Sequence, residues 1–369
     1  MQRHKTREVR CGKLVIGGNH PIWVQSLTTT KTADLDKTKA EIRSMLDAGC
    51  EIVRVAVFDQ ADAQALGAVK KLLGDVPLVS DIHFNYKFAL TAIDQGVDKV
   101  RLNPGNISGL SGEFGSVGRE RVKIVAEAAK KKGLCMRVGV NSGSVEKDLL
   151  EKHGYPKPEC MVESAHRHVE WLEECGFRDI VVSIKSTNTQ WMIDCYRRWA
   201  GESDVPTHLG VTEAGLPGYG TIKSSIGIGS LLCDGIGDTI RVSLTGDKAL
   251  EMHAGFDILM ASGRRVKKPE IVACPSCGRA NVEHEGVVRE LQKRISDVKV
   301  PIRVSILACA VNGPGEAAEA DIGAAGEGGQ WQLFKKGVAL RRVKEAEVVS
   351  ELEKEVRALA AEMNGGSHP

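Results

Sequence analysis

The segment Cys135-Met136-Arg137-Val138-Gly139-Val140-Asn141 reads as one short strand of a parallel sheet. Its run through Val140 is almost continuously apolar and too short for a typical globular helix, and it ends in a polar residue. A helical pattern at Arg119–Lys132 precedes it and another at Met161–Cys175 follows. A strand set between helices is the signature of a βαβ unit. The same unit recurs outward in both directions. Strands are predicted near Trp23–Ser26, Ile52–Val57, Leu78–Ile82, Lys99–Leu102, Ile180–Ile184, Thr207–Val211 and Thr239–Ser243, with further helices at Asp34–Ala48 and Ala61–Leu73. Eight such units predict an α/β fold, a (β/α)8 TIM-type barrel, with a doubly wound sheet as the alternative. No segment repeats at the level of identity, which excludes a solenoid.

The strand ends favour the barrel. Gln25 and Ser26, Arg54, Asp81 and His83, Arg101 and Asn103, Arg137 and Asn141, Lys185, Thr212 and Glu213, and Arg241 and Ser243 all fall there. In a barrel these ends converge on one face, where active sites are built. Any single such residue is equally readable as a solvated loop charge, but cations recur at or near five strand ends.

At 369 residues the chain exceeds what one core usually supports. The barrel is expected to occupy residues 1–263. A small α+β domain is expected over residues 264–369, with a helix at Val282–Ile295, a strand at Ile302–Leu307, a Gly-rich loop, a hairpin at Trp331–Leu340 and a final helix at Lys344–Ala361. The boundary is placed in the basic stretch Ser262–Pro269. A net charge of +2 and 4% aromatic residues argue against nucleic-acid binding. The stretch Leu14–Val24 is broken by glycines and Pro21, so neither a signal peptide nor a membrane span is read. Ten cysteines without a secretory signal point to a reducing compartment, and the expected location is the cytoplasm. The tail from Asn364 to Pro369 is expected to be frayed.

Cys274-Pro275-Ser276-Cys277-Gly278 is a knuckle of the metal-binding type, two thiolates separated by two residues with a glycine that permits a tight turn. A zinc ribbon would need a second such pair 15–20 residues on. The next cysteine, Cys309, follows after 31 residues and has no cysteine near it. His284 would complete a Cys3His zinc site. Alternatively, Cys309 and the Gly-Pro-Gly turn that leads to Glu316 suit an iron–sulfur cluster with three thiolates and a position left to an oxygen ligand or to substrate. Taken by itself, Glu316 is also readable as an exposed loop carboxylate. The other seven cysteines read as structural.

At the barrel mouth Arg54, Arg101, Arg137, Lys185 and Arg241 would crowd together. Like charges 4 Å apart repel by about 4 kcal/mol at an effective dielectric near 20. A phosphate or diphosphate, matched by arginine forks, is the natural guest. Asp81 and Glu213 are candidate acid–base groups, on the expectation that such a site raises a carboxyl pKa. His83 stands beside Asp81.

Taken together, Val100-Arg101-Leu102-Asn103-Pro104-Gly105-Asn106, Arg137-Val138-Gly139-Val140-Asn141-Ser142-Gly143, His208-Leu209-Gly210-Val211-Thr212-Glu213-Ala214-Gly215, Gly235-Ile236-Gly237-Asp238-Thr239-Ile240-Arg241-Val242-Ser243-Leu244-Thr245 and Asn312-Gly313-Pro314-Gly315-Glu316-Ala317 resemble the bacterial (E)-4-hydroxy-3-methylbut-2-enyl diphosphate synthase family of the non-mevalonate isoprenoid pathway. The motifs cover both domains in order. The resemblance implies an oxidoreductase that opens and dehydrates 2-C-methyl-D-erythritol 2,4-cyclodiphosphate with two electrons from flavodoxin or ferredoxin. It implies a [4Fe–4S] cluster on Cys274, Cys277, Cys309 and Glu316, and diphosphate contacts from Arg54, Arg101, Arg137, Lys185, Arg241 and Ser243. Asp81, His83, Asn141 and Glu213 match other active-site positions, with Glu213 as proton donor. It also implies a homodimer in which one subunit's cluster domain caps the other's barrel. The alternative is a pterin-type barrel transferase with a structural zinc module. Ile107–Gly118 reads as longer than the family's loop, Thr28–Thr30 and Ser186–Thr189 read as variants, and the plant-type insertion is absent.

Overall fold

Eight parallel strands carry the first part of the chain in the computed structural model, which describes residues 2–103, 107, 116–155, 157–309, 315 and 318–365. A hairpin of β1 (Val9–Cys11) and β2 (Leu14–Ile16) comes first. The barrel strands are β3 (Trp23–Leu27), β4 (Ile52–Val57), β5 (Leu78–Ile82), β6 (Lys99–Leu102), β7 (Cys135–Asn141), β8 (Ile180–Lys185), β9 (His208–Leu209) and β10 (Thr239–Ile240). Their order in the sheet is β8-β7-β6-β5-β4-β3-β10-β9. A parallel bridge between Val182 and Thr207 joins β8 to the residue before β9 and so closes the ring. Ile52–Val57, Leu78–Ile82 and Lys99–Leu102 have the predicted bounds. The last two strands are shorter than predicted; past Leu209 the chain turns through Glu213 (φ 53°) and Gly215 (φ 105°).

Side chains alternate between the two faces of each strand. Val53, Val55 and Val57 of β4 point outward into the main core shared with the helices. Arg54, between them, points inward. The helices start on side-chain caps: Asp34, Asp59, Asn85, Asn188 and Asp247 each accept a backbone N–H of the first turn. The hairpin packs Val9, Cys11 and Ile16 against Trp23, Cys135 and Val181, near the N-terminal ends of the strands. That plugs the barrel floor and leaves the C-terminal ends for chemistry. The hairpin has strands of three residues, too short to show a period.

Contacts divide the chain into two units, Met1–Arg265 and Val266–Pro369. The second holds β11 (Glu270–Ala273), β12 (Arg303–Leu307), β13 (Ile322–Glu327), β14 (Gln330–Lys335) and β15 (Val338–Lys344), in that order. β11, β12 and β13 run parallel, and β14 and β15 are antiparallel additions. Helices Glu285–Arg294 and Val348–Gly365 cover a core that includes Leu291, Val304, Ile322, Trp331 and Leu352. β13 was expected as Gly-rich loop. Its Ile-Gly-Ala-Ala-Gly-Glu sequence has low strand propensity, but a Cβ at Gly326 would lie 2.3 Å from the Val282 side chain, so close packing demands the small residue. The final helix starts later than predicted because Lys344 still pairs with Gln330 in the sheet. Glu316, most of Ile107–Gly118 and the tail beyond residue 365 lie outside the described residues.

Candidate active site

Strand register builds the site. It sets Asp81 beside Arg101 and Arg101 beside Arg137 in one row across β5, β6 and β7. Asn141 lies beside Lys185 at the ends of β7 and β8. Arg101 Nη1 donates to Asp81 Oδ1 at 2.9 Å, and Arg54 Nε lies 3.7 Å from Asp81 Oδ2. His83 Nε2 is 3.6 Å from Asp81 Oδ1 and 3.0 Å from Arg101 Nη1. All of these are buried except His83, which is 42% exposed at the rim.

The charges are badly balanced. Burial alone would push the Asp81 carboxyl up, but the Arg101 and Arg54 guanidiniums outweigh it and hold Asp81 well below the usual carboxylate range. The expected raised carboxyl is therefore not found at Asp81. Burial, followed by Arg54 and Arg101, pushes the Arg137 guanidinium well below its ordinary value. Burial, then Arg137, Arg54 and Arg241, does the same to the Lys185 ammonium. Arg54 is pushed down to about 10 by burial, with Asp81 opposing and Arg241 and Arg101 adding to the shift. Nε of Arg54, Arg101, Arg137 and Arg241, and Nη1 of Arg137, are buried without a hydrogen-bond partner among the described residues. Buried donors of one sign left open in this way describe the imprint of an anion.

Glu213 is exposed, past the end of β9, and holds a left-handed backbone that non-glycine residues rarely adopt. Ser243 is half-buried just past β10. The mouth thus gathers the predicted cations with Asp81, His83 and Asn141, whereas Glu213 stands at its edge.

Several contributors escaped the reading of the sequence. A Cβ at Gly139 would lie 2.7 Å from Arg101 Nε, so glycine lets the Arg101 side chain lie across β7. A Cβ at Gly210 would lie 2.6 Å from the Arg241 carbonyl oxygen and 3.0 Å from Lys185 Nζ. His208 is fully buried; burial first, then Arg137 and Lys185, pushes its imidazole well below the ordinary range. Glu251 is a fully buried carboxylate that reaches Arg241. Glycines carry no chemical signal of their own, and Glu251 lies inside a helix, away from any strand end.

In the second unit, Cys274 directly follows β11 and Cys309 lies two residues past β12, its parallel neighbour. Ser276 has φ 66°, the sharp turn of the knuckle. The Ala308 N–H points at Cys274 Sγ at 3.3 Å. His284 Nε2 lies 2.8 Å from the Cys274 carbonyl oxygen. The same nitrogen lies 3.7 Å from Cys274 Sγ. Among the described residues no three His, Cys, Asp or Glu side chains are gathered closely enough to hold a metal. No described helix is long and apolar enough to cross a membrane.

A closed parallel barrel with a cationic mouth, followed by a small cysteine-bearing unit, defines a two-unit α/β-barrel enzyme. Residues 6–256 match the description "GcpE TIM-barrel domain" and residues 270–358 match "GcpE protein C-terminal domain". The "4-hydroxy-3-methylbut-2-en-1-yl diphosphate synthase (flavodoxin)" of Bacillus mycoides strain KBAB4 is 47% identical over 98% of this chain and 96% of its own length. The protein of the same name from Geobacillus thermodenitrificans strain NG80-2 is 48% identical over 98% and 94%. The chain belongs to the GcpE family of 4-hydroxy-3-methylbut-2-en-1-yl diphosphate synthases, which are oxidoreductases. Among solved structures, Yersinia pestis DHPS with a pterine–sulfa conjugate superposes with a TM-score of 0.49 and 14% identity, covering 70% of this chain and all of that one. Identity near one half along the whole length favours the diphosphate synthase over the pterin-type transferase.

Proposed function

We propose that the barrel mouth binds 2-C-methyl-D-erythritol 2,4-cyclodiphosphate and that its reductive ring opening and dehydration to (E)-4-hydroxy-3-methylbut-2-enyl diphosphate takes place there. The observation that carries this reading is the set of buried guanidinium N–H groups around Arg137 left without partners among the described residues. Arg54, Arg101, Arg137, Lys185, Arg241 and Ser243 bind the diphosphate, and relief of their mutual repulsion contributes to affinity. Asp81, ionised between Arg54 and Arg101, holds the guanidiniums in place with His83 and does not donate a proton. Asn141 orients substrate beside Lys185. The oxygen lost in the dehydration needs a proton to leave as water, and Glu213 supplies it.

Cys274, Cys277, Cys309 and Glu316 would hold a [4Fe–4S] cluster. The thiol set and the Ala308 N–H aimed at Cys274 Sγ fit such a group. When bound, the cluster would pass on the two electrons one at a time, each received from flavodoxin or ferredoxin. In this reading residues 1–263 bind substrate and residues 264–369 carry the cluster. The enzyme is a cytoplasmic homodimer in which one subunit's cluster domain serves the other's barrel.

The test is anaerobic reconstitution of the full chain with iron and sulfide, followed by assay with the cyclodiphosphate and a chemical reductant. The expected result is a brown protein with iron and sulfide bound and with turnover to the diphosphate product. Tightly bound zinc with no uptake of iron, or a loaded protein that leaves the cyclodiphosphate intact, overturns it.

A further inference from the structure

Glu251 lies outside the set of groups that face the phosphates, yet its carboxylate reaches both sides of Ser243. It sits in the first turn of helix Lys248–Ala261 and is fully buried. Its Oε1 accepts from Lys248 Nζ at 2.8 Å, from the Leu244 N–H at 3.0 Å and from Arg241 Nη2 at 3.4 Å. Its Oε2 accepts from Ser26 Oγ, at the end of the neighbouring strand β3, at 2.7 Å. The geometry points to Glu251 as a positioning residue: it orients the Arg241 guanidinium toward the substrate's diphosphate. This rests on the reading of Arg241 as a substrate contact.

A buried carboxylate is tolerated where donors and cations satisfy it, and the helix N-terminus adds a favourable field. Here two cations and two neutral donors converge on one carboxylate. Lys248 is nearer than Arg241 and takes the larger share of the charge. Among the described residues, Arg241 is therefore held by one edge only. Its Nε has no partner among the described residues, which leaves donor capacity for a guest. Without the carboxylate, repulsion within the cluster would swing Arg241 away.

A merely structural tie between strand and helix would affect folding but not binding through Arg241, and a double-mutant cycle separates the two. The cyclodiphosphate is titrated calorimetrically into full-length wild-type, Glu251→Gln, Arg241→Ala and the double variant. Steady-state KM and kcat are measured on the cluster-loaded proteins. Glu251→Gln is expected to weaken binding about ten-fold and to raise KM similarly, with kcat within about three-fold. In the Arg241→Ala background the same change should add less than about two-fold. Glu251→Asp keeps the charge but shortens its reach. It should lose the longest contact, that to Arg241, and weaken binding while melting cooperatively, which decides the matter if the glutamine variant does not fold. Wild-type affinity in a folded Glu251 variant overturns the proposal, as does an equal loss with and without Arg241. If Arg241→Ala itself binds as wild type, the reading of the mouth has failed, and with it this assignment.

Discussion

Arg101 Nη1 lies 2.9 Å from Asp81 Oδ1 inside the barrel mouth, and this bond removes Asp81 from the list of proton donors. A carboxyl held well below its ordinary value by two guanidiniums stays ionised at working pH. Its role is to keep Arg54 and Arg101 in place against their neighbours. Asp81→Asn removes the nearest counter-charge of those cations and should destabilise the substrate-free protein by on the order of 3 kcal/mol. Thermal unfolding of the free protein, with and without inorganic pyrophosphate, checks this. The variant should gain more from the added anion than wild type does. Equal melting of the two free proteins would contradict the assignment.

Gly139→Ala tests the packing that lets Arg101 reach the site. The new Cβ would fall 2.7 Å from Arg101 Nε and 2.9 Å from Nη2, and Asp81 restrains the guanidinium from moving aside. Binding of the cyclodiphosphate should weaken about ten-fold, or about 1.4 kcal/mol, with the fold retained. An unchanged dissociation constant would mean that Arg101 has an equally good alternative position.

How far the sequence disclosed this arrangement depends on the kind of signal involved. Arg54 and Arg137 interrupt apolar runs, and Arg101 and Lys185 stand at or next to the end of theirs; the length and flanks of these runs mark them as strands, and the alternation of faces turns the cations inward together. Gly139, Gly210 and Glu251 could not be found that way. Their roles consist of distances to residues remote in the chain: Glu251 to Ser26 spans 225 residues. Asp81 was legible as a site residue but not in its role. Burial raises a carboxyl and adjacent cations lower it, and only the observed contacts decide between them. In the second unit the knuckle at Cys274 stood out, whereas β13, rich in glycine and alanine, looked like a loop because neighbouring side chains, not its own propensity, hold it as a strand.

Arg137 should show opposite effects on stability and binding. Its buried guanidinium lacks partners for Nε and Nη1 among the described residues and faces other cations. Arg137→Met should raise the melting temperature of the substrate-free protein, a gain of about 1–4 kcal/mol, as seen when buried charges give way to apolar groups. The same change should weaken binding of the cyclodiphosphate by at least about ten-fold. Melting curves and calorimetry on one preparation check both signs. A less stable free protein would show that Arg137 is a structural ion and not a binding one.

Glu213→Gln preserves shape and removes the exchangeable proton. If Glu213 protonates the departing oxygen, kcat should drop about a hundred-fold or more while the dissociation constant stays within about two-fold. Iron and sulfide content should match wild type. Full turnover in a loaded variant would remove Glu213 from the chemistry.

His208 gives the barrel a pH dependence of definite sign. It is fully buried, shares a hydrogen bond with Thr239 Oγ1 at 2.8 Å, and faces Arg137, Lys185, Lys99 and Arg54. Burial and these cations push its imidazole well below the ordinary 6.5, so the folded barrel keeps it neutral where the unfolded chain protonates it. Below that value the unfolded state binds the extra proton and folding is disfavoured. Stability that is complete above pH 6.5 is lost as pH falls, by about 1.4 kcal/mol per unit, until the depressed folded value is reached. His208→Asn retains a hydrogen-bonding atom for Thr239 and removes the titration. Between about pH 7.5 and 5.5 the melting temperature of wild type should therefore fall more steeply than that of the variant, with the curves closest at the acid end. Parallel curves would mean that the imidazole takes up its proton in the folded barrel as readily as in the unfolded chain, and the cations around it would then have to be compensated by groups other than Asp81 and Glu251.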